Sequence, residues 1–260
     1  MQYPTISEYV KASQDASDNL DMSTEATDEE LNEAITDEFG VKYSKDGRKL
    51  LKAPQELDRT YSIRKGTKIV CDMAFAYCKS LSNVVIPDSV TSIGDGAFED
   101  CSSLSSVVLP DSITSIGNRA FNECDSLRSV VISDGVTSIG DGAFQFCSSL
   151  NDIIIPDSVT SIGIYAFGEC TSLSSLVISD SVTSIGNWAF YYCDALRSVV
   201  IPDGVTSIGV GAFIGCKSLR NVVIPDSVTS IGFGAFSYCY FPYKLKQELI
   251  SRFGDKIFGN

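Results

Sequence analysis

The chain has 260 residues, of which 44% are hydrophobic, and its formal net charge is −13. Because the sequence contains no histidine, histidine-based catalytic triads and histidine-ligated metal sites are excluded. The charge is concentrated in residues 1–40, where eleven Asp and Glu accompany one basic residue, Lys11, and the remaining residues carry a net charge of −3. Nucleic acid is therefore not an expected partner, since binding to phosphate needs a basic face.

Residues 1–40 are predicted to form an acidic N-terminal segment that is partly helical or mobile. Thr27 and Glu30 have the spacing of a helix capping box, and Leu31, Ile35 and Phe39 form one narrow apolar stripe. We interpret the acidic residues as a solvated tail, with an acidic docking arm or a contact with the rest of the chain as alternatives.

The start of the chain, MQYPTISEYV, lacks the basic and apolar regions of a secretory signal. We therefore expect a cytoplasmic protein, or a surface or secreted one if a signal peptide has been removed. No apolar run approaches about 18 residues, so no membrane-spanning helix is expected.

Residues 41–60 are predicted to form an N-terminal hairpin cap, because Asp46 and Gly47 lie between two short apolar runs. Residues 61–75 then align as a degenerate first copy of a repeat that continues to residue 240. In this alignment Tyr61 and Ile63 take the places of Val84 and Ile86.

The repeat has a period of 23 residues. The phrase DSVTSIGDGAF at residues 88–98 returns with small changes at 111, 134, 157, 180, 203 and 226. A fixed period of this size is typical of a solenoid, in which each repeat forms one coil and neighbouring coils cover each other's apolar faces. About eight coils are therefore predicted over residues 61–240.

Apolar positions within the repeat predict which side chains face inward. In the coil 81–103 they are Leu81, Val84, Ile86, Val90, Ile93, Ala97, Phe98 and Cys101. One phenylalanine per coil is expected to form a continuous buried row: Phe75, Phe98, Phe121, Phe144, Phe167, Phe190, Phe213 and Phe236. The sequence has no C-x-x-C pair, so a zinc site is not expected. One cysteine per coil is instead expected to be reduced and buried: Cys78, Cys101, Cys124, Cys147, Cys170, Cys193, Cys216 and Cys239.

These repeats resemble the BspA-type leucine-rich repeat family, whose repeats read roughly L-x-x-V-x-I-P-x-S-V-T-x-I-G-x-x-A-F-x-x-C. The resemblance covers residues 61–240 and partly 41–60. It implies a leucine-rich-repeat solenoid of right-handed parallel β-coils with short helical or 3-10 turns. It also implies a binding scaffold, because many members are bacterial surface proteins that bind host or matrix proteins.

Residues 241–260 are predicted to form a C-terminal helical cap over the last coil. Four apolar residues have helical spacing and precede a glycine stop at Gly254: Leu245, Leu249, Ile250 and Phe253.

Two polar rows also repeat every 23 residues. The first is an aspartate row, which we interpret as Asx turns that accept backbone N–H groups of their own loops, with calcium binding as the alternative: Asp88, Asp111, Asp134, Asp157, Asp180, Asp203 and Asp226. The second is the Thr-Ser row from Thr91-Ser92 to Thr229-Ser230, whose hydroxyls are expected to form hydrogen bonds between coils.

Two sets of side chains are candidates for binding. Strand alternation predicts that one β-branched residue per coil points outward and forms an exposed apolar stripe, unless these residues reflect strand propensity alone: Val85, Val108, Val131, Ile154, Val177, Val200 and Val223. The second candidate is an aromatic cluster in the later coils, which could instead be incidental or covered by the N-terminal segment: Tyr165, Trp188, Tyr191 and Tyr192.

We therefore expect a non-catalytic, protein-binding scaffold that acts as a monomer and has no cofactor or metal. No general base accompanies a nucleophile, and no phosphate-binding loop is present, so an enzyme is not expected. An intracellular protein-interaction module and a carbohydrate-binding surface protein are the alternative functions.

Overall fold

The computed structural model describes residues 23–259, so the predictions for residues 1–22 lie outside the described residues. The chain is a parallel β-solenoid of about eight turns, and the predicted fold class is confirmed. Two helices are present in the described range, α1 (Asp28–Asn32) near the start and α2 (Tyr243–Phe253) near the end, and a 3-10 helix follows at Asp255–Phe258.

The strands are short and come in two sets. Those of the first set are β1 (Ile35–Thr36), β2 (Lys42–Tyr43), β3 (Lys49–Lys52), β5 (Ile69–Val70), β7 (Ser92–Ile93), β9 (Ser115–Ile116), β11 (Ser138–Ile139), β13 (Ser161–Ile162), β15 (Ser184–Ile185), β17 (Ser207–Ile208) and β19 (Ser230–Ile231). Those of the second set are β4 (Arg59–Ser62), β6 (Leu81–Val85), β8 (Ser106–Val108), β10 (Ser129–Val131), β12 (Asp152–Ile155), β14 (Ser175–Ile178), β16 (Ser198–Val200) and β18 (Asn221–Val223).

The first set forms one eleven-stranded sheet, which we call the long sheet. From β3 onward its strands are parallel, and each pairs with its neighbour in a register of 23 residues between the full repeats, as in Ser92 with Ser115. Hydroxyls support this pairing, because the Thr Oγ1 of each coil donates to a main-chain carbonyl of the coil before it, at 3.1–3.5 Å. The predicted hydrogen bonds between coils are therefore confirmed for the threonines of the Thr-Ser row, whereas its serine hydroxyls, from Ser92 to Ser230, form no such bond within residues 23–259.

The second set is not continuous. It is divided into four parallel strand pairs, β4–β6, β8–β10, β12–β14 and β16–β18, which together we call the paired face. The break between one pair and the next was not predicted from the sequence, because the repeat is the same on both sides of it.

The Ala-Phe segments turn the chain from the long sheet back to the paired face. In the coil of Phe98, single turns close from Ala97 N to Gly94 O and from Cys101 N to Phe98 O, while Phe98 N donates to the next coil. A 3-10 helix does not form there, because Gly96 and Asp100 have φ values of 58° and 53°, which interrupt a helical run.

Phenylalanine rings fill the centre of the solenoid. The eight rings of the predicted row are fully buried, and neighbouring rings stack with centroids 4.9–5.5 Å apart and planes within 9° of parallel. Tyr61 closes the row at the N-terminal end, and Phe241 closes it at the other. Each coil therefore supplies one ring to a column that runs the length of the repeats.

The cysteine row lies beside this column. From Cys101 to Cys239, each Sγ donates to the carbonyl of a phenylalanine one coil earlier, at 3.1–3.3 Å. The eight cysteines of the row form no disulfides, and all except Cys239 are buried. Burial raises the pKa of the Cys78 thiol to about 11 and those of Cys101, Cys124 and Cys170 further above the ordinary value of 9.0.

The N-terminal end is closed by a hydrogen-bonded group of polar side chains. The Tyr61 hydroxyl donates to Asp37 Oδ2 at 2.6 Å and lies 2.6 Å from the Tyr43 hydroxyl, while Asp37 Oδ1 accepts the N–H groups of Phe39 and Val41. β2 and β3 pair in an antiparallel manner around Gly47, whose φ is 73°.

The segment before this cap also contacts the solenoid. Thr27 and Glu30 form the predicted capping box of α1. Glu30 pairs with Lys49 at 3.0 Å. The predicted apolar stripe is wrong, however, because α1 ends at Asn32, and Ile35 and Phe39 are exposed.

The C-terminal end mimics another coil. Phe236 N donates to Ile257 O at 2.8 Å, as Phe213 N donates to Ala235 O at the same distance in the coil before. Ile257 and Leu249 are buried against the last coil. Arg252 donates to the carbonyl oxygens of Ile224 and Pro225, so it covers the segment that directly follows β18.

We expect Phe144→Ala to lower the free energy of unfolding by about 3–5 kcal/mol, because it leaves a cavity between two stacked rings. The matched control is Phe146→Ala in the same coil, whose side chain is 40% exposed, and its cost should stay below about 1 kcal/mol. Urea unfolding followed by circular dichroism gives both values. Equal losses in the two variants would contradict a phenylalanine core.

We expect the contribution of the buried thiols to the free energy of unfolding to be constant up to about pH 9 and to fall at higher pH. The folded chain keeps its buried thiols neutral, whereas the unfolded chain ionises them near 9.0. Their contribution is therefore fully present below pH 9 and is lost as the pH rises toward the raised folded values. Urea midpoints at pH 8, 9 and 10 measure this loss, which should be smaller in Cys124→Ala/Cys170→Ala. An unchanged slope in that variant would exclude the thiols as its cause.

Candidate binding surface

The outward side of the paired face carries one β-branched side chain from each of seven coils. We call this row the apolar lane: Val85, Val108, Val131, Ile154, Val177, Val200 and Val223. Its members are 49–65% exposed, while the neighbouring strand residues Val84 and Ile86 and their equivalents point into the core. The pleat of the strand accounts for this alternation, because successive side chains point to opposite sides.

An acidic row lies beside the apolar lane, in the loops that follow the strands. We call it the carboxylate lane: Asp88, Asp111, Asp134, Asp157, Asp180, Asp203 and Asp226. All seven side chains are exposed. Asp226 pairs with Arg252 at 3.2 Å, and the structure gives the other six carboxylates no ion pair or hydrogen bond within residues 23–259.

The Asx-turn interpretation of this row is wrong. In the coil of Asp88 the N–H group that an Asx turn would bind, that of Val90, already donates to Pro87 O at 3.0 Å. The same closure recurs in the other coils, so the carboxylates remain in solvent. The calcium alternative has no support in the geometry, since no cluster of three or more potential metal ligands is found in the described part of the chain.

A different polar row does accept backbone N–H groups, but from the following coil rather than from its own loop. Its members follow the Gly after a Ser-Ile strand or, for Asp72, follow Cys71, and their side-chain oxygens accept an N–H group of the following coil at 2.7–2.9 Å: Asp72, Asp95, Asn118, Asp141 and Asn187. Both rows have a period of 23 residues, so the spacing alone does not show which row forms hydrogen bonds between coils and which is the carboxylate lane.

Two grooves cross the paired face where strand pairs separate. The larger, of about 490 Å³, lies between β10 and β12, and the smaller, of about 350 Å³, lies between β6 and β8. The larger groove is lined by Val131, Ile154 and Val177 of the apolar lane and by three carboxylates: Asp134, Asp152 and Asp157. Asp152 was not predicted as a site residue, because most other coils have serine at its position.

The four aromatic candidates form one contact cluster on the turn side of the solenoid. Tyr165 stacks on Trp188 with centroids 5.1 Å apart, and Tyr191 meets both Tyr165 and Tyr192 edge to face. All four are half-buried rather than fully exposed. Lys217 lies over the Tyr192 ring at 5.3 Å and pairs with Asp194 at 2.9 Å, so this cluster is partly satisfied by its own contacts.

Glycines in the next coil make room for these rings. A Cβ atom at Gly211 would lie 2.5 Å from Trp188 Cδ1, and one at Gly215 would lie 2.8 Å from Tyr192 Cδ1. Trp188 itself has a φ of 54°, a left-handed conformation that costs a side-chain-bearing residue about 1–2 kcal/mol. The equivalent residue Arg119 has a φ of 53° without an aromatic ring, so this conformation is a property of the repeated turn.

The stacked coils and their filled interior define a leucine-rich-repeat solenoid. The family model described as BspA type leucine rich repeat region, in six copies, matches residues 67–197 and 143–260. Because these matches cover well over half of the sequence, the chain belongs to the BspA-type leucine-rich repeat family. This family is generally a non-catalytic scaffold and is typical of protein-binding surface proteins.

Solved structures agree with this assignment. A leucine-rich repeat protein from Eubacterium ventriosum is 26% identical with a TM-score of 0.66, and the alignment covers 75% of this chain and 51% of that one. A leucine-rich repeat protein from T. pallidum is 29% identical with a TM-score of 0.64, covering 87% of this chain and 95% of that one. The chain thus spans about half the length of the first of these proteins.

No curated protein matches the sequence. Over residues 23–259, neither helix has the length and apolar character that crossing a membrane requires.

We expect Gly211→Ala to shift the fluorescence of Trp188, the one tryptophan of the chain, because the new methyl group displaces the indole ring. Gly142→Ala is the matched control, since Gly142 has a φ of 61° against 60° for Gly211 but its nearest contact would be Gln145 at 3.3 Å. Both variants should lose about 1 kcal/mol of stability from the left-handed backbone. A spectral shift in both, or in neither, would contradict the packing of Trp188 on Gly211.

Proposed function

We propose that the chain is a non-catalytic, bacterial protein-binding scaffold that binds a host, matrix or other protein through the paired face. The observation that carries this proposal is the apolar lane, whose seven β-branched side chains are exposed in every coil from Val85 to Val223. A row of exposed apolar side chains of this kind is typical of a surface that a partner covers.

The interior supports the same assignment, because its side chains hold the stack together and are not available to a partner. Inward positions of the coils are filled by buried Leu, Val, Ile, Ala, Phe and Cys, which repeat with little change. These residues maintain the stack, so only outward positions are available to a partner. Bacterial relatives with the same fold support the source that we propose.

The paired face is favoured over the aromatic cluster by exposure. Ile154 and Val108 are 65% and 63% exposed, whereas Trp188 and its neighbours are half-buried against each other and against glycine backbone. A partner that covers the apolar lane therefore removes more apolar surface from water, and this removal is the main favourable term in protein association.

The proposal is tested with a photo-crosslinking amino acid placed at Ile154 and, as a control, at Ile164. Both are isoleucines of the same coil, but Ile164 lies on the turn side and is 38% exposed. We expect crosslinked protein partners from Ile154 and not from Ile164, identified by mass spectrometry from a mixture of host and matrix proteins.

The identified partner is then used to measure affinity. We expect Ile154→Lys to weaken its binding by at least about tenfold, which corresponds to 1.4 kcal/mol, while Ile164→Lys leaves the affinity unchanged. Both variants should keep the thermal midpoint of the parent, since both side chains face solvent. Equal affinity of Ile154→Lys and the parent would exclude the paired face as the binding surface.

A further inference from the structure

The large groove of the paired face combines apolar and acidic side chains without a basic one. Its lining contains Val131, Ile154 and Val177 and the carboxylates of Asp134, Asp152 and Asp157. The smaller groove repeats this chemistry with Val85, Val108 and Asp88. Any occupant that fits must therefore offer an apolar row and positive charge together.

The carboxylates of the large groove have no cation of their own. None of the three forms an ion pair or a hydrogen bond with another described residue. The exposed Arg128 precedes β10 on the opposite flank of the apolar lane and does not line the groove. Like charges repeated at every coil repel one another, and a cationic partner would relieve this repulsion.

The spacing of the coils selects the secondary structure of the occupant. The centroids of stacked phenylalanine rings lie 4.9–5.5 Å apart, which gives the rise per coil. An α-helix rises about 5.4 Å per turn. An extended strand, by contrast, places side chains of one face about 6.6 Å apart. A helix along the solenoid axis therefore presents one side chain to each coil, and an extended strand loses register after two or three coils.

We infer that the paired face binds a basic amphipathic α-helix of a partner protein, which lies along the axis of the solenoid. One apolar side chain per turn contacts the apolar lane, and lysine or arginine on the adjacent flank faces the carboxylate lane. Seven coils span about 30 Å, so the helix that covers them has about 20 residues. This inference rests on the proposed function and specifies the partner for the same surface.

The test uses the full chain and four synthetic 21-residue peptides, with binding measured by fluorescence anisotropy. The first has leucine at one position per helical turn and lysine on one flank. The second has glutamate in place of lysine, the third has the first composition in scrambled order, and the fourth alternates valine and lysine as an extended strand does. We expect the first to bind at least tenfold more tightly than each of the others.

The acidic contribution is tested with Asp134→Asn/Asp157→Asn, which should weaken binding of the first peptide at least fivefold. The matched control is Glu29→Gln/Glu38→Gln, which removes the same net charge from two exposed residues outside the grooves. If both double variants weaken binding equally, the effect is one of overall charge and the inference is overturned. Equal binding of the lysine and glutamate peptides, or tighter binding of the alternating peptide, overturns it as well.

The outcome for the natural partner separates this inference from the function on which it rests. If Ile154→Lys weakens the natural partner while the lysine peptide does not bind, the paired face is a binding surface but its ligand is not a basic helix. If Ile154→Lys has no effect on the natural partner, the proposed function itself fails.

Discussion

The central constraint on this molecule is that the two flat faces of every coil are apolar and must be covered by a neighbour. The phenylalanine column meets this constraint, with each ring stacked on the next at about 5 Å and each adjacent carbonyl bound to a cysteine thiol one coil later. Because the contacts recur every 23 residues, a shift of a single residue in one coil would break them on both sides. The uniform register follows from this requirement.

The ends show how the same constraint is met where no further repeat exists. Tyr61 covers the first ring, and its hydroxyl is bound to Asp37 and Tyr43, so a polar group closes the column without being left unpaired. At the other end Ile257 supplies the carbonyl that another coil would have provided. Both caps therefore imitate a coil on the side that packs against the solenoid, and they differ from a coil on the side that faces away from it.

Most of the fold could be predicted from the repeat, because identical spacing in sequence implies identical contacts in space. The exposure of Ile154 and its equivalents also followed from strand alternation. The role of Asp88 could not be predicted, because Pro87 O binds the N–H group in question. The partial burial of Trp188 could not be predicted either, because it depends on the absence of a side chain at Gly211 in the next coil. The separation of the paired face into strand pairs could not be predicted either, because the repeat has the same sequence pattern on both sides of each break.

The shared register also makes each coil a unit of length. In the long sheet every coil binds its two neighbours through the same backbone groups, and the caps contact only the first and last coils. Whole repeats can therefore be added or removed without altering the pairing of the long sheet. The length of the outer surface then changes in steps of one coil, while each coil continues to present the same kinds of side chain.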